Sequence, residues 1–176
     1  MVRSRYGAIE TTYQGYRFRS RLEARWAVFF DCLGESWAYE HEGYRLPSGW
    51  YLPDFWLPRL ELWLEIKPTA PTVREEALCR ELADITDNAV ALAIGLPGDY
   101  MVAFCGSSGG FVEFSEVFWA LDRTGKLCIH SNRTSLEHGY MRLESNGVPC
   151  LKFLEEIRQA LPSMYFENAK LARFGT

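Results

Sequence analysis

The sequence predicts an α/β (α+β) fold, with a mixed central β-sheet flanked by helices and a C-terminal α/β extension. Three observations point to it. Residues 20–33 carry apolar side chains at helical spacing, and residues 60–67 alternate with a period of two. Residues 89–94 (Ala-Val-Ala-Leu-Ala-Ile) form a continuous apolar run, as expected of a strand buried on both faces. Strand, helix and strand in succession over 60–94 imply a crossover between parallel neighbours, hence a mixed sheet with helices on it.

The first helix starts at Ser20, which has Glu23 at capping-box spacing. Leu22, Trp26, Phe29 and Leu33 then recur along one face, and Gly34 is placed to end it. Residues 37–45 read as a strand, Pro47-Ser48-Gly49 as a turn and 50–56 as the hairpin partner. In 60–67, Leu60, Leu62, Leu64 and Ile66 alternate with Glu61, Trp63, Glu65 and Lys67. Pro68 and Pro71 close that strand. Thr72 and Glu75 repeat the capping-box spacing and open a helix carrying Leu78, Cys79 and Leu82 inward. Further strands are expected at 100–105, 111–120 and 126–130, and two helices near 149–160 and 163–173, parted by Pro162. The organisation is therefore a basic arm over 1–16, a core over 17–97 and an extension over 98–176 that completes or covers it.

Composition bounds the function classes. The chain of 176 residues is 48% hydrophobic, 24% charged and 15% aromatic, which fits a globular domain and argues against disorder. No run nears the roughly 20 apolar residues of a membrane span, so no membrane partner is expected. No apolar segment follows Arg3 and Arg5, so no secretory leader is expected. Five scattered cysteines without a CxxC pair suggest reduced thiols and a cytoplasmic setting. Cys128, His130 and His138 raise the question of zinc, but a fourth ligand at recognisable spacing is missing. The net charge of −4 is unevenly spread. Residues 1–26 hold six arginines against Glu10 and Glu23, which leaves −8 on the remainder. A basic segment of this kind either meets phosphates or is a solvated face.

The residues with chemical potential gather around the hairpin and the strand after it. A turn near Pro58 would bring Asp54 beside Glu65, and period-2 geometry puts Glu65 and Lys67 on one face with Ile66 in the core. Two carboxylates and a lysine suit phosphodiester hydrolysis: hard oxygen ligands take Mg²⁺ or Mn²⁺, and a lysine orients water or stabilises developing charge. Glu23 has a structural use as a capping residue. It also shares a helix face with Ala27 and Phe30, from which it can point toward the sheet.

Taken in order, Ser20-Arg21-Leu22-Glu23-Ala24-Arg25-Trp26, Leu52-Pro53-Asp54-Phe55 and Glu65-Ile66-Lys67-Pro68, followed by a helix and an apolar strand, resemble the PD-(D/E)xK nuclease superfamily. The likeness is nearest to its phage junction-resolving and transposon-end-cleaving branch, and it covers about residues 17–96. It implies a restriction-endonuclease-like core and a metal-dependent DNA endonuclease of a phage or mobile element. The same resemblance implies Mg²⁺ or Mn²⁺ held by Asp54, Glu65 and the Ile66 carbonyl, with help from Glu23, and Lys67 serving the water. Glu40 and Glu42 are the candidates for a further acidic residue that some members use. DNA is the expected partner, with a homodimer or a targeting protein as further expectations. Arg17, Arg19, Arg21 and Arg25 are the candidate phosphate contacts, with Lys170 and Arg173 as a second set. Trp50, Tyr51 and Trp56 either stack on unpaired bases or fill the core. The alternative function is a DNA-binding or assembly module that keeps the fold with little catalysis.

Overall fold

The computed structural model describes residues 8–107, 110–114, 117–121, 125–131, 141–143, 149–150 and 159–174. It is mixed α+β, as expected, with a mixed central sheet flanked by helices. Short strands β1 (Thr11–Tyr13) and β2 (Tyr16–Phe18) form a hairpin ahead of helix α1 (Arg21–Cys32). Ser20 caps α1 by accepting the Glu23 N–H at 3.2 Å. Next come β3 (Ala38–Tyr39), β4 (Tyr44–Leu46), β5 (Gly49–Tyr51), β6 (Phe55–Leu57) and β7 (Leu62–Lys67). Helix α2 (Val73–Thr86) starts at a complete capping box between Thr72 and Glu75 and leads to β8 (Ala89–Ile94). After it run β9 (Tyr100–Ser107), β10 (Gly110–Phe114), β11 (Val117–Leu121) and β12 (Leu127–Ser131). β13 (Met141–Leu143), β14 (Pro149–Cys150), β15 (Gln159–Ala160) and helix α3 (Ser163–Leu171) finish the described chain.

The central sheet has six strands in the order β10-β9-β8-β7-β6-β3. Only β7 and β8 pair in parallel, and α2 makes the crossover between them. β9 and β10 therefore extend the sheet begun in the preceding residues. A second, antiparallel sheet runs β14-β13-β12-β11-β15.

Each face of the central sheet has its own core, and β7 serves both. Leu62, Leu64 and Ile66 pack on the side of α1, with Trp26, Phe29 and Phe30 and with Trp119 and Ile129 of the second sheet. Trp63, together with Val90 and Leu92 of β8, packs on the side of α2 against Leu78 and Leu82. The β4–β5 hairpin joins this second core through Leu46 and Tyr51. Hence both faces of β7 are buried, although the alternation showed only one apolar face.

Several expected boundaries move, for local reasons. Residues 50–56 split: β5 pairs with β4, whereas β6 joins the central sheet between β3 and β7. Pro53 lies at the break and has no N–H to give a ladder. Residues 37–45 split likewise, after Glu40 takes a left-handed backbone at φ 46°. The 60–67 strand begins only at Leu62, because Pro58–Leu60 form a 3₁₀ turn ended by left-handed Glu61. The single strand expected at 111–120 divides between the two sheets as β10 and β11. Where a helix was expected near 149–160, the ends 149–150 and 159–160 pair as strands with β13 and β11, and 151–158 lie outside the described residues. Among the described residues no helix is long and apolar enough to cross a membrane.

Candidate active site

Strand register builds the site. Phe55 pairs with Leu64 across antiparallel β6 and β7, so one step further the chain sets Asp54 beside Glu65. Asp54 is 2% exposed, and its Oδ2 accepts the Ile66 N–H at 2.7 Å. A residue's N–H and C=O leave the same edge of a strand, so Ile66 turns its carbonyl toward Asp54 as well. The neighbouring Lys67 carbonyl points the other way and accepts the Gly95 N–H at 2.8 Å.

Glu65 is equally buried. The Tyr51 hydroxyl donates to its Oε2 at 3.0 Å, and Lys67 Nζ lies 2.7 Å from its Oε1. Lys67 also reaches Glu75 Oε1 at 3.0 Å, so the first turn of α2 holds the far side of the ammonium. Glu23 comes from α1. It accepts from the Ser20 hydroxyl at 2.7 Å, the Tyr39 hydroxyl at 2.5 Å and the Arg19 N–H at 3.1 Å. It thus completes the cap through Arg19 instead of the Ser20 main chain, and both of its carboxylate oxygens accept hydrogen bonds.

Glu23, Asp54, Glu65, Ile66 and Lys67 all line one cleft of about 960 Å³. The four arginines proposed for phosphates part company around it. Arg19 enters the site, with Nη2 2.6 Å from Asp54 Oδ1 and Nε 2.8 Å from Glu40 Oε1. Arg21 is exposed in the cleft wall. Arg17 pairs with Glu10 on the exposed β1–β2 hairpin. Arg25 is half-buried, and its Nε has no hydrogen-bond partner among the described residues. Lys170 lies elsewhere, 3.7 Å from Glu167 beside a separate cavity lined by Trp26 and Phe166, while Arg173 is exposed. Of the two weaker acidic candidates, Glu40 is in the site through Arg19, whereas Glu42 accepts from the Tyr44 hydroxyl. Among the aromatics, Tyr51 is buried, Trp56 packs on Trp63 with ring centroids 4.5 Å apart, and Trp50 is exposed. Cys128 donates to the Ala120 carbonyl at 3.3 Å; His138 and the side chain of His130 lie outside the described residues.

The electrostatics show an excess of negative charge. Burial, then repulsion from Glu65 and Glu23, raises the Asp54 carboxyl well above its ordinary value, against the pull of Ile66 N–H and Arg19. Burial pulls Lys67 down, but Glu65 and Glu75 outweigh it and lift the ammonium above its ordinary value. Lys67 is therefore a charged group here, not a free base. Burial keeps the Tyr51 hydroxyl protonated as a donor, and the Cys79 thiol 3.4 Å from it is pushed up to about 12. Among the described residues, four carboxylates (Glu40, Asp54, Glu65, Glu75) thus pair with two cations, Arg19 and Lys67, while Glu23 adds a fifth carboxylate and Arg21 a third cation to the cleft lining.

A hard divalent cation fits that imbalance. Among the described residues no three His, Cys, Asp or Glu side chains are grouped around one point. A metal would rest on Asp54, Glu65 and the Ile66 carbonyl, competing with Arg19 and Lys67 for carboxylate oxygens.

Tyr39, Tyr51 and Glu75 are the partners that sequence reasoning missed as site residues. Glu75 was visible as a cap and Tyr51 as an aromatic, but their contacts cross 8 and 14 residues of folded chain. No protein-family model, curated protein or solved structure matches this chain.

Proposed function

We propose that this chain is an endonuclease using Mg²⁺ or Mn²⁺ to hydrolyse DNA phosphodiesters, with a PD-(D/E)xK-type site. One observation carries the reading: the β6–β7 register joins Asp54, Glu65 and Lys67, far apart by role and partly by sequence, in one cleft. When bound, the ion supplies charge neutralisation at the phosphate and activation of an attacking water. Asp54 and Glu65 hold ligand oxygens in place through Ile66 N–H and the Tyr51 hydroxyl. Lys67, charged and braced by Glu75, stabilises negative charge that develops on the scissile phosphate. Arg19 and Arg21 line the approach for a phosphate backbone. The free thiols of Cys32, Cys79 and Cys128 fit a reducing, cytoplasmic compartment.

The deciding experiment is cleavage of supercoiled plasmid and of a branched DNA junction with Mg²⁺, Mn²⁺ or EDTA. Metal-dependent cutting by wild type, lost in Glu65→Ala and Lys67→Ala, is expected. Equal cutting by the variants, or none by folded wild type, would overturn the assignment.

A second reading, a DNA-binding or assembly module with little catalysis, rests on a specific observation. Asp54 and Glu65 already have a protein partner on each oxygen. Thermal melting separates the two. Divalent metal raises the melting temperature of a metal-binding protein and Asp54→Ala abolishes the rise, whereas a closed ion-pair network is indifferent to metal.

A further inference from the structure

Trp50 is 64% exposed, yet it lines the same cleft as Asp54, Glu65 and Lys67. A single exposed apolar side chain needs no explanation. Its surroundings do. Alternation along the β4–β5 hairpin sends Tyr44, Leu46 and Tyr51 to one face and the cross-strand partners Arg45 and Trp50 to the other. The first face is fixed in the core beneath α2. Tyr51, the next residue, donates to Glu65, so the strand that carries the indole is tied one residue away to a site carboxylate.

The ring is also seated. A Cβ on Gly43 would come within 2.2 Å of Trp50 Cζ2, so the six-membered ring rests on the Gly43 main chain, where any side chain would displace it. Cations share its surroundings: Arg19, Arg21 and Lys67 line the same cleft, and Arg45, its cross-strand partner, is exposed. An exposed aromatic ring that lines one cleft with cationic side chains matches the chemistry of an unpaired nucleobase with its adjoining phosphates.

We propose that Trp50 is a stacking platform for an unpaired base next to the scissile phosphate, so that the substrate class is DNA with single-stranded or displaced nucleotides. The inference rests on the nuclease reading and names its substrate. In a fully paired duplex each base face is covered by its neighbours, so the platform gains nothing there. In a single strand or at a fork a face is free to stack.

The test measures fluorescence anisotropy of labelled single-stranded, forked and fully paired oligonucleotides in EDTA, with wild type, Trp50→Ala and Trp50→Phe. Wild type is expected to prefer the first two. Trp50→Ala should weaken them by about 5- to 150-fold and change duplex binding less than about twofold, while Trp50→Phe restores most of the loss. A single abasic nucleotide at the stacking position should reproduce the loss in wild type. Equal losses on all three DNAs, or none, would overturn the platform. Plasmid cutting by the same variants keeps the two ideas apart. Metal-dependent cutting with unchanged single-strand binding in Trp50→Ala sinks the platform and leaves the nuclease standing. No binding to any of the three DNAs by wild type sinks the platform, and no plasmid cutting with Mg²⁺ or Mn²⁺ as well sinks the nuclease.

Discussion

At the scale of the residue, the site holds three buried carboxylates, Glu23, Asp54 and Glu65, each with protein partners. Asp54 has the sharpest consequence. Its folded-state pKa lies above its ordinary value of 3.8, so the folded chain binds this proton more tightly than the unfolded one. The resulting stability is full below the ordinary value and is lost as pH rises through the raised folded value. In EDTA, Asp54→Asn should therefore melt progressively higher relative to wild type as pH increases from about 4 to 8; a pH-independent difference would refute it. Tyr51→Phe removes the hydroxyl that orients Glu65 while keeping the ring in the core. Loss of such an orienting partner should weaken metal affinity about 10- to 100-fold, read from the metal dependence of melting. Lys67→Arg keeps charge but not the compact ammonium between Glu65 and Glu75, so it should rescue Lys67→Ala only in part.

At the scale of the element, capping decides how firmly α2 braces the site. Thr72 and Glu75 satisfy each other's main-chain N–H groups, and the same Glu75 carboxylate holds Lys67. Thr72→Ala should cost about 1 kcal/mol in chemical denaturation. Under the proposed function it should also lower cleavage, because a frayed first turn no longer fixes Lys67. A variant that loses stability with unchanged cleavage would separate cap from site. Burial raises the Glu75 carboxyl, but the Thr72 and Lys67 contacts outweigh it and leave it lowered. Its contribution is therefore present above the ordinary carboxylate value and lost as pH falls through the lowered one.

At the scale of the whole molecule, one side chain links the two sheets. Arg59, in the turn before β7, pairs with Glu35 and donates to the Leu127 carbonyl of β12. Glu35 is 6% exposed, so removing its partner strands a buried charge. Arg59→Ala should cost about 1–3 kcal/mol, and adding Glu35→Gln should recover part of it, because the stranded group is then neutral. Denaturation of both variants checks this; no recovery would place the cost in lost packing of the Arg59 stem.

The sequence by itself determined the elements whose signals are local. The Ser20 and Thr72 caps, the period of α1, the doubly buried β8 and the β7–α2–β8 crossover follow from spacing and side-chain shape within a few residues. The order Asp54, Glu65, Lys67 was legible too, because strand alternation already puts Glu65 and Lys67 on one face. Tertiary structure alone decided the rest. Arg19, a candidate phosphate contact from its sequence position, also pairs with Asp54 and Glu40, because a buried carboxylate such as Asp54 needs a nearby cation. Trp50, Tyr51 and Trp56 look alike in sequence, and only their placement against α2, Trp63 or solvent separates the exposed ring from the packed ones. The second face of β7 gave no apolar alternation, since Glu65 is buried and Lys67 half-buried there by pairing with Tyr51 and Glu75. Such partners are chosen by contacts across the fold, which no local pattern encodes.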